Sequence, residues 1–468
     1  MVRILWFRKN LRISDNRVLK VFLENISPDD RYLLLYIKNE NTLKYFGNKR
    51  VQFLNQCLDD LKNRLKDRGF NLHIFKGDSL NVFKQIIQSD TKVYADRQIE
   101  PYCINRDERV TAFLRTMNSE LITIDDSTLF ESGEVLKPDG NPYTVFTPFK
   151  KRCELLISEK HWSEESCDFA KLAHCKEFKT NAVENYEFRT NIEGFFKGGR
   201  TEGLKLLKSF ERKGIEKYNT LRDFPAENGT SRLSPHLHFG TVSIRECYRA
   251  ALGKLETADD KEEVRTWINE LLWREFYYNI SHHFPYIIDG AFKRQYDRIK
   301  WSYDEELFGK WREGKTGYPI VDAGMRQLVK EGWMHNRLRM ITAMFLTKDL
   351  FIDWKLGEKF FAEHLIDLDF SSNNGGWQWS ASTGCDAQPY FRIFNPYLQS
   401  AKFDPEGKYI KHYVPELKNV PPKYIHNPSL MPDEMQNKLG VVSGRDYPLP
   451  VVKHSKAKDR IMKEFRSL

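Results

Sequence analysis

The sequence predicts two architectures in one chain: an N-terminal α/β domain built on a doubly wound parallel sheet, then an all-α C-terminal domain. Three observations predict it. Short apolar runs alternate with helical spacing over residues 1–130, that strand signal stops near Gly203, and from there Trp, Leu and Phe recur at i, i+3 and i+4. With 468 residues the chain has room for roughly two or three separately cored domains.

Taken in order, residues 4–7, 32–37, 72–75, 92–95 and 121–124 are short and apolar, as strands buried on both faces must be. Residues 49–68 place Val51, Leu54, Leu58, Leu61 and Leu65 on one helical face and close at Gly69, a C-terminal stop. After the first strand stands Phe7-Arg8-Lys9-Asn10 instead of a glycine-rich turn, so dinucleotide binding of the usual kind is not expected. The turn cluster from Pro138 to Pro142 and the polar run over 176–189 mark residues 131–195 as an interdomain connector. A helical domain follows over 196–430, with a short tail over 431–468.

Composition narrows the function. No run of about 18 apolar residues could span a bilayer, and Met1-Val-Arg-Ile-Leu-Trp-Phe-Arg-Lys-Asn has charges where a secretory leader is apolar. The expectation is a soluble intracellular protein, cytoplasmic or nuclear, with no membrane partner. Lys and Arg number 74 against 65 Asp and Glu, a net +9 that permits a polyanionic partner without requiring one. Seven cysteines, odd in number and without a Cys-x-x-Cys pair, indicate neither a disulfide framework nor a metal site.

One motif is set aside. Gly309-Lys-Trp-Arg-Glu-Gly314-Lys315-Thr316 fits a phosphate-loop pattern, but an acidic helix-like segment precedes it and Gly317 and Pro319 interrupt the helix that should follow.

The most informative segment is the helix expected over 264–280. Val264, Ile268, Leu271, Leu272 and Phe276 lie on one side of its wheel and account for core packing. Glu270, Trp273, Arg274 and Tyr277 fall on the opposite side beside Trp267, where a solvent face would carry Lys, Glu and Gln. Two readings remain: a second buried interface with Glu and Arg paired, or a cavity wall whose aromatics stack on flat rings. Farther on, Asn336 and Met340 lie one turn apart among Arg337 and Arg339. Asp367 and Asp369 precede Ser-Ser-Asn-Asn-Gly-Gly-Trp-Gln-Trp379, where the Asn-Asn-Gly-Gly run predicts a turn. Two carboxylates suit acid–base or metal chemistry, but with no His or Cys at ligand spacing, pairing with Arg is the cheaper account. Trp377 and Trp379, two positions apart, point differently on a helical backbone.

Together these segments resemble the photolyase–cryptochrome family, from Trp6-Phe7-Arg8 to about Leu417. The likeness is densest in Thr230-Ser-Arg-Leu-Ser-Pro, Asn269-Glu-Leu-Leu-Trp-Arg-Glu-Phe-Tyr277, Thr316-Gly-Tyr-Pro-Ile-Val-Asp-Ala-Gly, Asn374-Gly-Gly-Trp-Gln-Trp-Ser-Ala-Ser-Thr-Gly and Pro389-Tyr-Phe-Arg-Ile-Phe-Asn-Pro396. It implies an antenna domain and a helical domain that holds FAD, reduced in the active form. By the resemblance, Tyr218, Thr230, Ser231, Arg232, Leu233 and Ser234 hold the FAD phosphates. Trp267 lines the flavin cavity, Asp367 and Asp369 bind the ribityl and ring side with Arg339 as ionic partner, and Asn373 faces flavin N5.

The implied partner is UV-damaged DNA, bound by a monomer, with the lesion flipped out of the duplex as photolyases require. Trp273 and Trp379 cradle it; Glu270 and Asn336 hydrogen-bond it. Arg274, Tyr277 and Met340 complete that face, and Arg222, Arg337 and Arg392 grip the backbone. Trp377, Trp354 and Trp301 form an electron relay. Catalytic roles fall to Glu270, Asn336 and Asn373. The implied reaction is light-driven splitting of cyclobutane pyrimidine dimers with no net redox change. The alternative is a cryptochrome-type blue-light photoreceptor on the same fold. Asn373, the pair Trp273 and Trp379, and the absence of a long C-terminal extension favour repair. Asn336 and Met340 stand where enzymes repairing (6-4) photoproducts carry paired His. A generic flavin oxidoreductase lacks a nicotinamide fingerprint. A second antenna chromophore is expected, of folate or deazaflavin type; residues 38–47 and Glu100-Pro-Tyr-Cys-Ile-Asn105 fit neither pattern cleanly.

Overall fold

The computed structural model describes residues 1–39, 47–180 and 194–466. They divide into two compact units: unit 1 comprises Met1–Glu216 and Ser231–Pro285, and unit 2 comprises Lys217–Thr230 and Tyr286–Leu468.

All five expected strands are present in unit 1: β1 (Val2–Phe7), β2 (Arg31–Lys38), β3 (His73–Lys76), β4 (Thr91–Asp96) and β5 (Glu120–Ile124). They pair in parallel in the order β3-β2-β1-β4-β5. The strand order reverses at β1, where Ile4 and Leu5 are fully buried beside Leu33 and Val93. Crossover helices α1 (Arg17–Asn25), α2 (Asn48–Lys66), α3 (Ser79–Ile86) and α4 (Pro101–Thr116) cover the sheet as parallel connections demand. Helix α2 ends as expected: Gly69 takes a φ of 82° while the Phe70 N–H returns to Leu65 O. One strand was not foreseen. Inside the polar connector, β6 (Lys176–Glu177) pairs with Arg31 and Tyr32 of β2.

The connector is more structured than its composition suggests. Its helix α5 (Phe146–Leu156) buries Phe149 and Cys153, and Phe149 packs edge-on against Phe276 at 5.3 Å. Residues 181–193 of the expected connector lie outside the described residues.

The expected single helical domain over 196–430 needs correction. Helices α6 (Arg200–Lys213), α7 (Ser234–Phe239), α8 (Ile244–Thr257) and α9 (Lys261–His283) belong to unit 1 with the sheet. A buried ion network explains this. Arg245 of α8 bonds Asp15 at 3.1 Å and Asp126 at 2.8 Å, while Arg12 reaches Asp126 at 2.5 Å. These loop residues follow β1 and β5, so the network ties a helix to the sheet's carboxyl edge. Hydrophobic periodicity carries no trace of it.

Unit 2 is helical. Its core joins α10 (Glu305–Glu313), α11 (Pro319–Glu331), α12 (Asn336–Met344), α13 (Trp354–His364) and α14 (Phe370–Ala381) around Trp311, Leu338, Ile341, Trp354 and Trp377. The set-aside phosphate-loop pattern is a helix end: Gly314 closes α10 at φ 63°, and the Thr316 N–H and hydroxyl both go to Asp322 Oδ1. The expected tail is also corrected. Tyr447 is buried and donates to Asp322 at 2.5 Å, and α15 (His454–Arg466) buries Ala457, Ile461 and Phe465 at i, i+4 and i+8. That stripe is hidden among charged residues.

Candidate functional site

In unit 1 the candidate residues lie on α9, whose N-cap Asp260 accepts from the Glu262 N–H. Val264, Leu271, Leu272 and Phe276 are buried as expected; Ile268 is half-buried. Trp267 is also buried, its ring 4.9 Å from Phe210. Glu270, Trp273 and Tyr277 are half-buried on one face, a surface that is neither core nor solvated. Trp273 stacks on Phe146, centroids 3.7 Å apart with planes 8° from parallel, and tilts against Tyr277 at 5.7 Å.

Arg274 departs from that face. Its guanidinium donates to Ser127 O at 2.5 Å and lies over the Tyr278 ring at 4.3 Å. It fastens α9 to the loop after β5. The residue missed here is Glu275. It is buried, accepts from the Leu129 and Phe130 N–H groups at 3.0 and 3.4 Å, and burial pushes its carboxyl up to about 7 against the pull of Arg274. The available signal was a carboxylate set among the apolar Leu271, Leu272 and Phe276.

The expected phosphate-binding run falls in both units. In unit 2, Tyr218 is buried with the Arg222 guanidinium 5.5 Å from its ring, and Thr230 is half-buried. In unit 1, Arg232 adopts a φ of 52°, the left-handed region that non-glycine residues seldom occupy, and its guanidinium lies 5.4 Å from Phe195. Ser231 Oγ accepts from the Leu233 N–H at 3.4 Å; Leu233 is buried and Ser234 exposed at the start of α7.

In unit 2, His335 caps α12, accepting from the Arg337 N–H at 3.2 Å, and this leaves Asn336 exposed at the first helical position. The Asn336 amide reaches Met340 Sδ at 3.9 Å, so the two residues meet across one turn. Arg337 bonds Asp223 at 2.6 Å and covers the Phe403 ring at 4.3 Å, which neutralises it within the unit. Arg392 is exposed.

Arg339 donates to Met334 O at 2.8 Å and to Asp367 Oδ2 at 2.7 Å, as the ion-pair expectation required. Asp367 Oδ1 is buried and has no hydrogen-bond partner among the described residues. Asp369 instead caps α14, accepting from the Ser372 N–H at 2.8 Å. The Asn-Asn-Gly-Gly turn is thereby corrected: a strong cap starts a continuous helix that carries both glycines. On that helix Asn373 donates to Glu358 O at 3.2 Å and Asn374 to Glu358 Oε1 at 3.0 Å. Glu358, missed because it reads as a surface residue between Gly357 and Lys359, is pushed up to about 7 by burial.

Trp377 and Trp354 are buried, while Trp379 and Trp301 are half-buried. The helical turn thus separates Trp377 from Trp379, as their spacing required. Trp301 lies 5.0 Å from Phe351 and 6.5 Å from Phe465 of α15.

A buried carboxylate with one oxygen unpartnered costs free energy unless a ligand donor meets it. The Arg339–Asp367 pair, with Asn373 nearby in sequence, therefore fits a polar cofactor that donates hydrogen bonds, as a flavin with its ribityl chain does.

Comparison with known proteins bears on the same segments. Residues 3–166 match the family model described as DNA photolyase, and residues 267–467 match the FAD binding domain of DNA photolyase. A deoxyribodipyrimidine photo-lyase of Alkalihalophilus pseudofirmus is 38% identical, over 99% of this chain and 98% of its own. A bacterial class III photolyase from Agrobacterium tumefaciens superposes with a TM-score of 0.89 at 34% identity, covering 99% of this chain and 97% of that one. An archaeal photolyase from Sulfolobus tokodaii, solved with two FAD molecules, gives 0.85 at 33% identity over the whole of both chains. A Synechocystis cryptochrome gives 0.86 at 28%, over 99% of both.

Proposed function

The chain belongs to the DNA photolyase family, FAD-dependent light-driven lyases, and from that premise we propose that it repairs cyclobutane pyrimidine dimers in UV-damaged DNA. The observation that carries the choice of lesion is Asn336, exposed at the start of α12 with Met340 one turn on, where enzymes for (6-4) photoproducts carry paired His. An amide offers both a donor and an acceptor to the polar edge of a pyrimidine, and a thioether packs against its ring.

Bound FAD, reduced and excited by blue light, supplies the electron whose transfer to the dimer opens the cyclobutane ring and whose return leaves no net redox change. The protein binds, orients and shields. Trp273 and Trp379 stack on the extruded bases, each worth about 1–3 kcal/mol per base. Glu270 hydrogen-bonds the dimer and, as a donor when protonated, stabilises charge arriving there. Asp367, fixed by Arg339, accepts from the flavin side, and Asn373 holds its amide toward the ring. Arg222 and Arg392 meet the DNA phosphates, with Arg337 behind Asp223 as support.

The reading includes a monomer and a second antenna chromophore of folate or deazaflavin type; residues 40–46, within the 38–47 segment, lie outside the described residues. No helix among the described residues is long and apolar enough to cross a membrane. The cryptochrome-type photoreceptor is the second reading, favoured only by the likeness to the Synechocystis protein.

The test is blue-light repair of a duplex with one thymine dimer by reduced holoprotein, against a dark control. Light-dependent return of intact thymines supports repair. No repair by folded protein that contains reduced FAD moves the assignment to a photoreceptor.

A further inference from the structure

Phe146 comes from the connector, where composition promised only a link between domains. It opens α5, is 8% exposed, and lies flat on Trp273, ring centroids 3.7 Å apart with planes 8° from parallel. Its own ring is held edge-on by Phe276 at 5.9 Å, while Phe149 one turn later anchors the same helix on Phe276 at 5.3 Å. Trp273 remains half-buried. A half-buried indole without such a neighbour would sample several rotamers, each presenting its π-face differently. Here one face is covered by a ring that Phe276 holds edge-on, and the indole, still half-buried, is fixed in one orientation.

We propose that Phe146 is the positioning residue for Trp273: it pre-stacks the indole so that an extruded pyrimidine dimer adds as the third layer of an existing stack. This rests on Trp273 being a dimer-stacking residue, as the function proposed above requires. Binding then spends no free energy on ordering the indole, which is the gain a rigid supporting shell provides. The connector thus builds the rear wall of the lesion site rather than merely spanning between domains.

The experiment uses the FAD-loaded protein in the dark and measures dissociation constants for a duplex carrying one thymine dimer and for the same duplex undamaged. Phe146→Leu, which keeps apolar volume but removes the flat face, should weaken damaged-DNA binding by about 3- to 10-fold, with undamaged binding and flavin content unchanged. Phe146→Met serves the same purpose should the Leu variant fail to fold. Phe146→Tyr, which retains the ring, should restore binding. In a Trp273→Ala background the Phe146→Leu change should have no further effect on damaged-DNA binding, since a positioning residue acts only through what it positions.

Weakening by Trp273→Ala but not by Phe146→Leu or Phe146→Met overturns the proposal and leaves the Trp273 assignment standing. So does an additive loss in the double variant, which would mark a general packing role. Tighter binding by Phe146→Leu also overturns it, since the ring would then occupy the lesion's own place. Full binding by Trp273→Ala removes the stacking residue itself, and the proposal with it.

Discussion

Asp15 and Arg245 meet at 3.1 Å inside unit 1 with neither side chain exposed to solvent. Asp15 also accepts from Ser243 Oγ and from Arg249, and it holds a left-handed φ of 50°. Neutralising Asp15 leaves two buried guanidinium groups, Arg12 and Arg245, to share Asp126 alone, at a cost of up to about 3–5 kcal/mol. Asp15→Asn should therefore lower stability by roughly that amount in urea denaturation at pH 6. Burial raises the Asp15 carboxyl, but Arg245 and Arg12 outweigh it and hold the group down at about 2. Its folded value lies below its unfolded one of about 3.9, so the stabilisation is present above that pH and is lost as pH falls toward 2. The gap between wild type and variant should narrow by about 2–3 kcal/mol over that acid range. A gap that stays constant down to pH 2 would show that the charge is not what matters.

Glu275 has the opposite sign. With its carboxyl raised to about 7 by burial, protonation favours the folded state. Its contribution is complete below about 4.3, the unfolded value, and is lost as pH rises through 7, with a ceiling of about 4 kcal/mol. Glu275→Gln keeps an acceptor for the Leu129 and Phe130 amides and removes the titration. Stability measured at pH 5 and pH 8 should differ less in the variant than in the wild type; equal differences would refute the assignment.

These two residues also mark where the sequence stops being legible. The five strands of the sheet and α2 can be read to within one or two residues because the strands are short, largely apolar runs, buried along β1, β2 and β4, and α2 keeps one apolar face. The grouping of α8 with the sheet cannot be read. It depends on Asp15, Asp126, Arg12 and Arg245 meeting across up to 230 positions, and a charged residue in sequence looks the same whether paired inside or solvated outside. Likewise Ile461 and Phe465 are readable as a stripe only once α15 is known to be a helix. In the candidate site, Trp267 and Trp273 stand out because their types are wrong for a solvent face, and Glu270 is noticed only through lying beside them. Glu358 and Phe146 do not, since each has an ordinary alternative as a surface acid or a loop hydrophobe.

Asp367→Asn tests the cofactor side. The substitution keeps shape and one acceptor but removes the charge that pairs with Arg339 and the anionic oxygen that has no partner among the described residues. Hydrogen bonds to charged groups are worth about 1.5–3 kcal/mol, so flavin affinity should fall by about 10- to 100-fold. The readout is the ratio of flavin to protein after dialysis, with circular dichroism to show that the helices persist. Full retention of flavin would place Asp367 outside the cofactor site.

Gly357 sets the position of Trp377. A Cβ there would stand 2.1 Å from Trp377 Cη2 and 2.6 Å from Leu346 Cδ2. In an exposed helix, Gly to Ala would gain about 1 kcal/mol, but overpacking a core costs about 1–3 kcal/mol. Because both neighbours are buried, the clash should win. Gly357→Ala should lower the melting temperature and slow light-driven flavin reduction. A higher melting temperature would mean that α13 and α14 can separate at no cost.

Trp301 differs from the other two relay candidates in being half-buried, against Phe351 and Phe465, whereas Trp354 and Trp377 are enclosed. An electron path that ends at the surface needs its last member to reach solvent, where an external donor can refill it, and exposure assigns that place to Trp301. Phenylalanine keeps the packing but is far harder to oxidise than indole. Trp301→Phe should therefore abolish light-driven reduction of the oxidised flavin while leaving dimer repair intact in protein reduced chemically beforehand. Absorbance of the flavin under blue light with an external reductant reads the first, and the thymine-dimer duplex reads the second. Loss of both would mean that Trp301 supports the fold or the flavin site. Normal photoreduction would mean that electrons enter elsewhere, and buried Trp311, whose ring lies 6.1 Å from Trp377, is then the next residue to substitute.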